Sequence, residues 1–315
     1  MSANALGRRG GMIAVLLVTW VTLLGAGKPT MAGADEDRAG SIYVCVKESG
    51  RVRIVGANAK CQATEKKERW SITLPPGPYF PITCPPDSVP TGATCLDRYE
   101  ASLWQTMNPT LIQRIKDGTV TKANLTADGA IHLGLASGDL DKAGCPATGK
   151  KCVNVYAVSI PGVMPARFIT WFQAAAAARN AGKRLPTNAE WQAAALGTPD
   201  PGASPAPSDC NTKGNEPDLA GERGNCVSDV GAFDMVGNVS EWLADWVPLS
   251  TTCGSPLFSG TDDANCLAWA SPSSGPAALV RGGDFGSGAS AGVFAVEGKV
   301  APSGASAGIG FRAAR

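Results

Sequence analysis

The sequence predicts a loop-rich, disulfide-braced globular domain that mixes helices with short strands, preceded by a small β-hairpin module. Three observations predict it. Across 315 residues Gly (38) and Pro (23) are abundant while aromatic residues make up only 6%, a mix that fits irregular connections better than a helical bundle. Ten cysteines fall in close pairs along the chain. Helical patterning is confined to residues 171–196, and elsewhere short apolar pieces alternate with Gly, Pro, Ser and Asp, the pattern of short strands joined by loops.

Residues 1–33 read as an export signal. Arg8 and Arg9 give a basic start, an apolar run covers residues 12–24, and the small residues Ala32, Gly33 and Ala34 follow as a cleavage zone. The run is shorter than the roughly 20 apolar residues of a spanning helix. Cleavage is therefore expected in preference to a retained anchor, with no stable membrane span afterwards. No cysteine follows the run to carry a lipid, and the paired arginines stand in surroundings unlike a twin-arginine signal. The expected location is secreted, periplasmic or cell-surface.

An oxidising compartment gives the cysteines their meaning as a disulfide framework. Cys45 lies near Cys61, Cys84 near Cys95, Cys145 near Cys152, Cys210 near Cys226, and Cys253 near Cys266. Neighbour pairing is the simplest connectivity, although sequence leaves others open. Metal ligation by these thiols would call for tighter spacings and accompanying histidines, and His132 is the only histidine. The net charge of +1, with 17% charged residues and no dense Lys/Arg stripe, gives no reason to expect a nucleic-acid partner.

Three stretches follow the signal. In residues 41–72, Ile42, Val44 and Val46 alternate with other residues, and so do Val52 and Ile54 beyond a Glu48-Ser49-Gly50 break; this is a hairpin pattern. Residues 73–83, TLPPGPYFPIT, read as a proline-rich linker. The main domain covers residues 84–315 and shows no internal repeat. Within it Thr170 is placed to cap an alanine-rich helix, Trp171–Asn180, that Gly182 stops. Thr187 or Asn188 caps a second, with Glu190 at its third position. Trp191 is expected on the inward face of that helix. Trp242 and Trp246 are expected as further core anchors, and Arg281 and Arg312 as ion-pair partners.

Four segments carry a resemblance: CLDRYEAS (residues 95–102), RFITWFQAAAAARNAGKRLPTNAEWQAAALG (167–197), GAFDMVGNVSEWLADW (231–246), and RGGDF through IGFR (281–312). In this order they resemble the formylglycine-generating-enzyme, or sulfatase-modifying factor, family over about residues 84–315. The resemblance implies an irregular α+β fold of the C-type lectin kind. It also implies calcium, with Asp234 and Glu241 as side-chain ligands and Gly237 and Val239 as carbonyl ligands, hard oxygens of the kind calcium takes. The alternative is that Asp234 and Glu241 cap loops or pair with arginines. A second family calcium site would draw on Asn211, Thr212 and the stretch before Cys226, where the spacing departs from the pattern.

The family enzyme holds copper on two cysteine thiolates shortly after the RGG turn, soft ligands that suit copper(I). Here no cysteine follows Cys266, so no copper is expected, and one histidine cannot build the iron site of the family's sulfur–histidine branch. The stretch instead holds small residues. With RGG before it and IGFR after it, it also resembles the variable proteins of diversity-generating retroelements, which display a binding surface there. That implies ligand-binding positions at Asp284, Phe285, Ser287, Ser290, Ser303 and Ser306, with Gly286 and Lys299 beside them; Phe285 could instead be core. The expected function is an exported ligand-binding or structural protein whose partner is a protein, peptide or glycan. The alternative is a divergent enzyme of the family acting on an exported substrate, with Asp284 beside Arg281 as the one candidate pair.

Overall fold

The computed structural model describes residues 40–47, 52–55, 60–72, 82–254 and 261–315. The export signal and most of the 73–83 linker lie outside the described residues. The chain divides into two compact units, Met1–Gly77 and Pro78–Arg315.

In the first unit β1 (Gly40–Lys47) pairs antiparallel with β2 (Val52–Val55), setting Val44 opposite Ile54 and Val46 opposite Val52. A third strand, β3 (Glu65–Ile72), pairs along the other side of β1. The module is thus a three-stranded sheet, larger than the expected hairpin. The sequence of β3, EKKERWSI, has no apolar alternation to announce a strand. It lies on a sheet edge, where charged residues are tolerated and discourage association with another edge.

The second unit opens with an antiparallel hairpin, β4 (Ser88–Thr91) and β5 (Thr94–Asp97). Next comes β6 (Ala101–Gln105), followed by α1 (Pro109–Lys116) and α2 (Lys122–Ala127). The chain continues through β7 (Ile131–Leu133), the single turn α3 (Asp139–Lys142) and β8 (Val155–Ser159). Strands β7 and β8 flank β6 in a second antiparallel sheet.

Two helices lean on these layers. Helix α4 (Trp171–Asn180) packs on β8 and buries Ala174, Ala176, Ala177 and Ala178, whose small side chains let it lie close to the sheet. Helix α5 (Asn188–Ala195) packs on β4 and β5. Both start with a reciprocal capping box, Thr170 with Gln173 and Thr187 with Glu190, which satisfies amide donors that have no partner inside the helix.

The rest of the chain builds a six-stranded mixed sheet from β9 (Ser240–Pro248), β10 (Thr252–Gly254), β11 (Asn265–Ala268), β12 (Pro276–Gly282), β13 (Gly292–Glu297) and β14 (Ile309–Gly310). Its order is β10-β11-β13-β12-β9-β14. Trp191 and Trp242 are completely sealed, but Trp246 is 44% exposed, which corrects the expectation of a core role. The pairing of β9 with β12 shifts register between Trp242 and Trp246, and beyond the shift β9 runs along the surface. There Trp246 meets Trp171 and Phe172 edge-on.

Disulfides join Cys45–Cys61 in the first unit and Cys84–Cys95, Cys145–Cys152, Cys210–Cys226 and Cys253–Cys266 in the second. No free cysteine remains among the described residues. Among those residues no helix is long and apolar enough to cross a membrane.

Candidate functional site

Strand β9 starts inside a buried charge centre. Arg312, fully buried, places Nε 2.8 Å from both carboxylate oxygens of Glu241 and Nη2 2.7 Å from Oε1. Its remaining N–H groups go to the carbonyls of Asp97 and Phe233 at 3.0 and 2.7 Å. The Trp191 indole N–H donates to Glu241 Oε2 at 2.6 Å. Glu100, also sealed, accepts from the Val239 amide at 2.9 Å and from the Asn238 side chain. Asp234 accepts from the Gly221 amide at 2.7 Å. Burial, reinforced by Asp234 and Glu241, pushes Glu100 well above the usual carboxylate range. Burial also pushes Asp234 up to about 7, against the Gly221 hydrogen bond and the Arg312 charge.

These geometries test the calcium expectation. Three buried carboxylates face one guanidinium, so the centre carries more negative charge than Arg312 balances, and protons or a cation must make up the difference. The Asn211 side-chain carbonyl Oδ1 is buried with no partner. The Asn211 backbone carbonyl lies against Gly237, where an added Cβ would stand 2.3 Å from it. Hard oxygens and surplus negative charge fit calcium. The arm that fits least is Glu241, whose two oxygens are already committed to Arg312 and Trp191.

The second site is a cleft made by the C-terminal segment. After β12 the chain turns at Gly283, whose φ is +76° and whose missing Cβ would stand 2.7 Å from Ala291. Asp284 closes the turn on itself: its Oδ1 accepts from the Gly286 amide and the Ser287 hydroxyl, each at 2.9 Å. The resulting cleft has a volume of about 420 Å³ and is lined by Asp284, Ser287, Ser290 and Ser306, together with Arg281 and Glu297. Four of the six expected ligand positions therefore share one cavity. Phe285 does not line it; it is half-buried and tied by its backbone to Asn238 and Gly214. Ser303 is exposed and also stands outside the cleft.

Arg281 departs from expectation. It forms no ion pair with Asp284 or any other carboxylate among the described residues. Instead its Nε donates to Asn188 Oδ1 at 2.8 Å and Nη1 to the carbonyls of Phe294 and Ala295 at 3.1 and 3.3 Å. The guanidinium stacks over the Trp191 ring. The turn at Gly282 and Gly283 sends Asp284 to its own loop while the Arg281 side chain runs toward α5 and β13. Ser240 and Glu297, which were not among the expected positions, also line the cleft.

Short strands, long braced connections and a cleft formed by the C-terminal segment define an irregular α+β domain of the C-type lectin-like class. The chain belongs to the family of sulfatase-modifying factor enzyme 1-like domains, whose family model matches residues 114–315. Solved structures similar to it include the Major Tropism Determinant P3c and I1 variants. Each is 18% identical, with a TM-score of 0.41, covering 89% of this chain and 73% of that chain. Treponema denticola variable protein 1 is also 18% identical, with a TM-score of 0.34, covering 49% of this chain and 71% of its own. Likenesses this distant carry no function across. No curated protein matches the chain.

Proposed function

We propose that this chain is an exported ligand-binding protein that uses its sulfatase-modifying-factor-like domain as a frame and the cleft at its C-terminal segment as the recognition site. One observation carries the reading: the 284–290 loop, with Asp284, Ser287 and Ser290, and the later Ser306 line one cavity of about 420 Å³, a size ordinary for ligand sites. Disulfides using all ten cysteines support export to an oxidising compartment. Calcium is part of the proposal, held by the Asp234 carboxylate and the Gly237 and Val239 carbonyls, with Glu241 contributing around its tie to Arg312. Its role is structural, since these residues are buried in the frame.

The test is binding of the purified protein, with calcium present, to glycan and exported-protein arrays. A variant altered at Asp284, Ser287 and Ser306 runs alongside. A hit lost in the variant supports recognition at the cleft; hits indifferent to those changes overturn it.

A further inference from the structure

At the end of β5 one amine is held between two carboxylates. Lys183 Nζ lies 2.6 Å from Asp97 Oδ1 and 2.7 Å from Asp87 Oδ2, and no part of the Lys183 side chain reaches water. Both acids are buried as well, but their surroundings differ. Asp87 also meets Arg315, whose Nη1 stands 2.7 Å from Oδ1. Although burial opposes it, Lys183 and Arg315 hold Asp87 below the usual carboxylate range. Asp97 pairs with no cation except Lys183 among the described residues, and burial pushes it up to about 6. Its second oxygen, Oδ2, accepts from the Ala313 amide at 3.1 Å. The Asp97 amide in turn donates to the Ala313 carbonyl at 2.8 Å, so the carboxyl is fixed from both sides.

These are the parts of an acyl transfer. Lys183 is an amine nucleophile, and Asp97 is a carboxyl acceptor that burial favours in its neutral form. Asp87 touches the amine and can carry a proton, and the Ala313 N–H faces the oxygen on which charge would develop. We infer that Lys183 and Asp97 join through an intramolecular amide bond between Nζ and Cγ, with Asp87 as the proton carrier. The ammonium passes one proton to Asp97 Oδ1, leaving an amine and a carboxylic acid. The Nζ lone pair adds to Cγ, and the Ala313 amide stabilises the charge on Oδ2. Asp87 takes a second proton from Nζ and delivers it to the departing hydroxyl, and water leaves. One C–N bond forms, one C–O bond breaks, and nothing is oxidised or reduced. The product removes two sealed charges, and the two that remain, Asp87 and Arg315, are already paired. The bond fastens β5 to the residues after α4, and reductant leaves it intact, unlike the neighbouring Cys84–Cys95 bridge.

The test is the mass of the purified, reduced chain, set against the mass that its sequence and measured N-terminus require. The expected result is a deficit of one water. A tryptic map should show residues 180–184, uncut after Lys183, joined to the peptide that ends at Arg98. Lys183→Arg should restore the full mass. Asp97→Asn, which loses its amide nitrogen in place of the hydroxyl, should show a deficit of one ammonia. Asp87→Asn keeps the shape but not the proton carrier, and should leave most of the chain at full mass. The peptide map of the unmodified protein decides by itself where a variant fails to fold.

Full mass with separate peptides in the folded chain, unchanged after prolonged incubation at neutral pH, overturns the inference and leaves Lys183 in an ion-pair network. A water loss confined to one linear peptide overturns it too, as a succinimide at Asp117-Gly118 would give. Undiminished cross-linking in Asp87→Asn overturns the assignment of Asp87 as proton carrier.

Discussion

Arg312 and Glu241, 71 residues apart in the chain, meet with Arg312 Nε 2.8 Å from each carboxylate oxygen and both side chains sealed from water. The pair joins the last motif of the chain to the first residues of β9. It also positions Trp191 through the second bond to Glu241 Oε2, and Trp191 in turn supports Arg281. The frame and the cleft are therefore connected by one chain of contacts: Arg312, Glu241, Trp191, Arg281.

Removing one partner of such a pair leaves the other charge buried alone. Glu241→Gln and Arg312→Met are each expected to cost about 3–5 kcal/mol of stability. The double variant is expected to cost less than the sum. Urea unfolding of all four proteins checks this, and strict additivity would show that the pair is not energetically coupled.

Calcium at Asp234 should raise the melting temperature. A site kept at 100 times its dissociation constant stabilises the folded state by about 2.7 kcal/mol. Chelator is expected to lower the melting temperature of the unmodified protein and to leave Asp234→Asn nearly unmoved. An equal response from both proteins would remove Asp234 from the site.

The Arg184 hydrogen bond and the capping box hold Glu190 down at about 2. Its folded-state value is depressed, so its contribution is fully present above the ordinary glutamate range. That contribution is lost as pH falls from about 4.5 toward about 2. The stability difference between the unmodified protein and Glu190→Gln should be flat above pH 5 and should shrink across that window. Unfolding curves at stepped pH measure it, and a constant gap down to pH 2 would contradict the assignment.

Gly237 has φ +74°, and an added Cβ would stand 2.3 Å from the Asn211 carbonyl oxygen. Gly237→Ala therefore meets both backbone strain and a backbone clash, and should destabilise by more than the roughly 1 kcal/mol of an ordinary substitution. Thermal melting decides, and a neutral outcome would mean the 211 loop yields easily.

The disulfides give a covalent check. Alkylating the unreduced protein should add no mass. Replacing Cys210 and Cys226 together by Ala should cost about 2–4 kcal/mol, read as a shift in the urea midpoint.

Local signals made much of the fold legible. Thr170 and Thr187 announced their helices because capping chemistry acts within four residues; the Thr187–Glu190 box formed as the spacing predicts, and Gln173 closes a second box on Thr170. Helix α1 went unread: it is two turns long, and its buried stripe is only Leu111 and Ile115. Strand β3 went unread because its charges fit an edge and offer no apolar alternation. At the cleft, Asp284, Ser287, Ser290 and Ser306 were legible through the RGG and IGFR frames on either side of them. The positions of Phe285 and Ser303 outside the cavity were not.

The sequence by itself determined the cysteine neighbours, the two capped helices and the motif order of the family, since each depends on residues close in the chain or on a signature of residue types. Tertiary structure alone decided what Arg281 and Trp246 do. A register shift between β9 and β12 carried Trp246 to the surface, and a two-glycine turn parted Arg281 from Asp284. The first outcome depends on pairing between strands more than thirty residues apart, and the second on the partners that α5 and β13 bring to the Arg281 side chain.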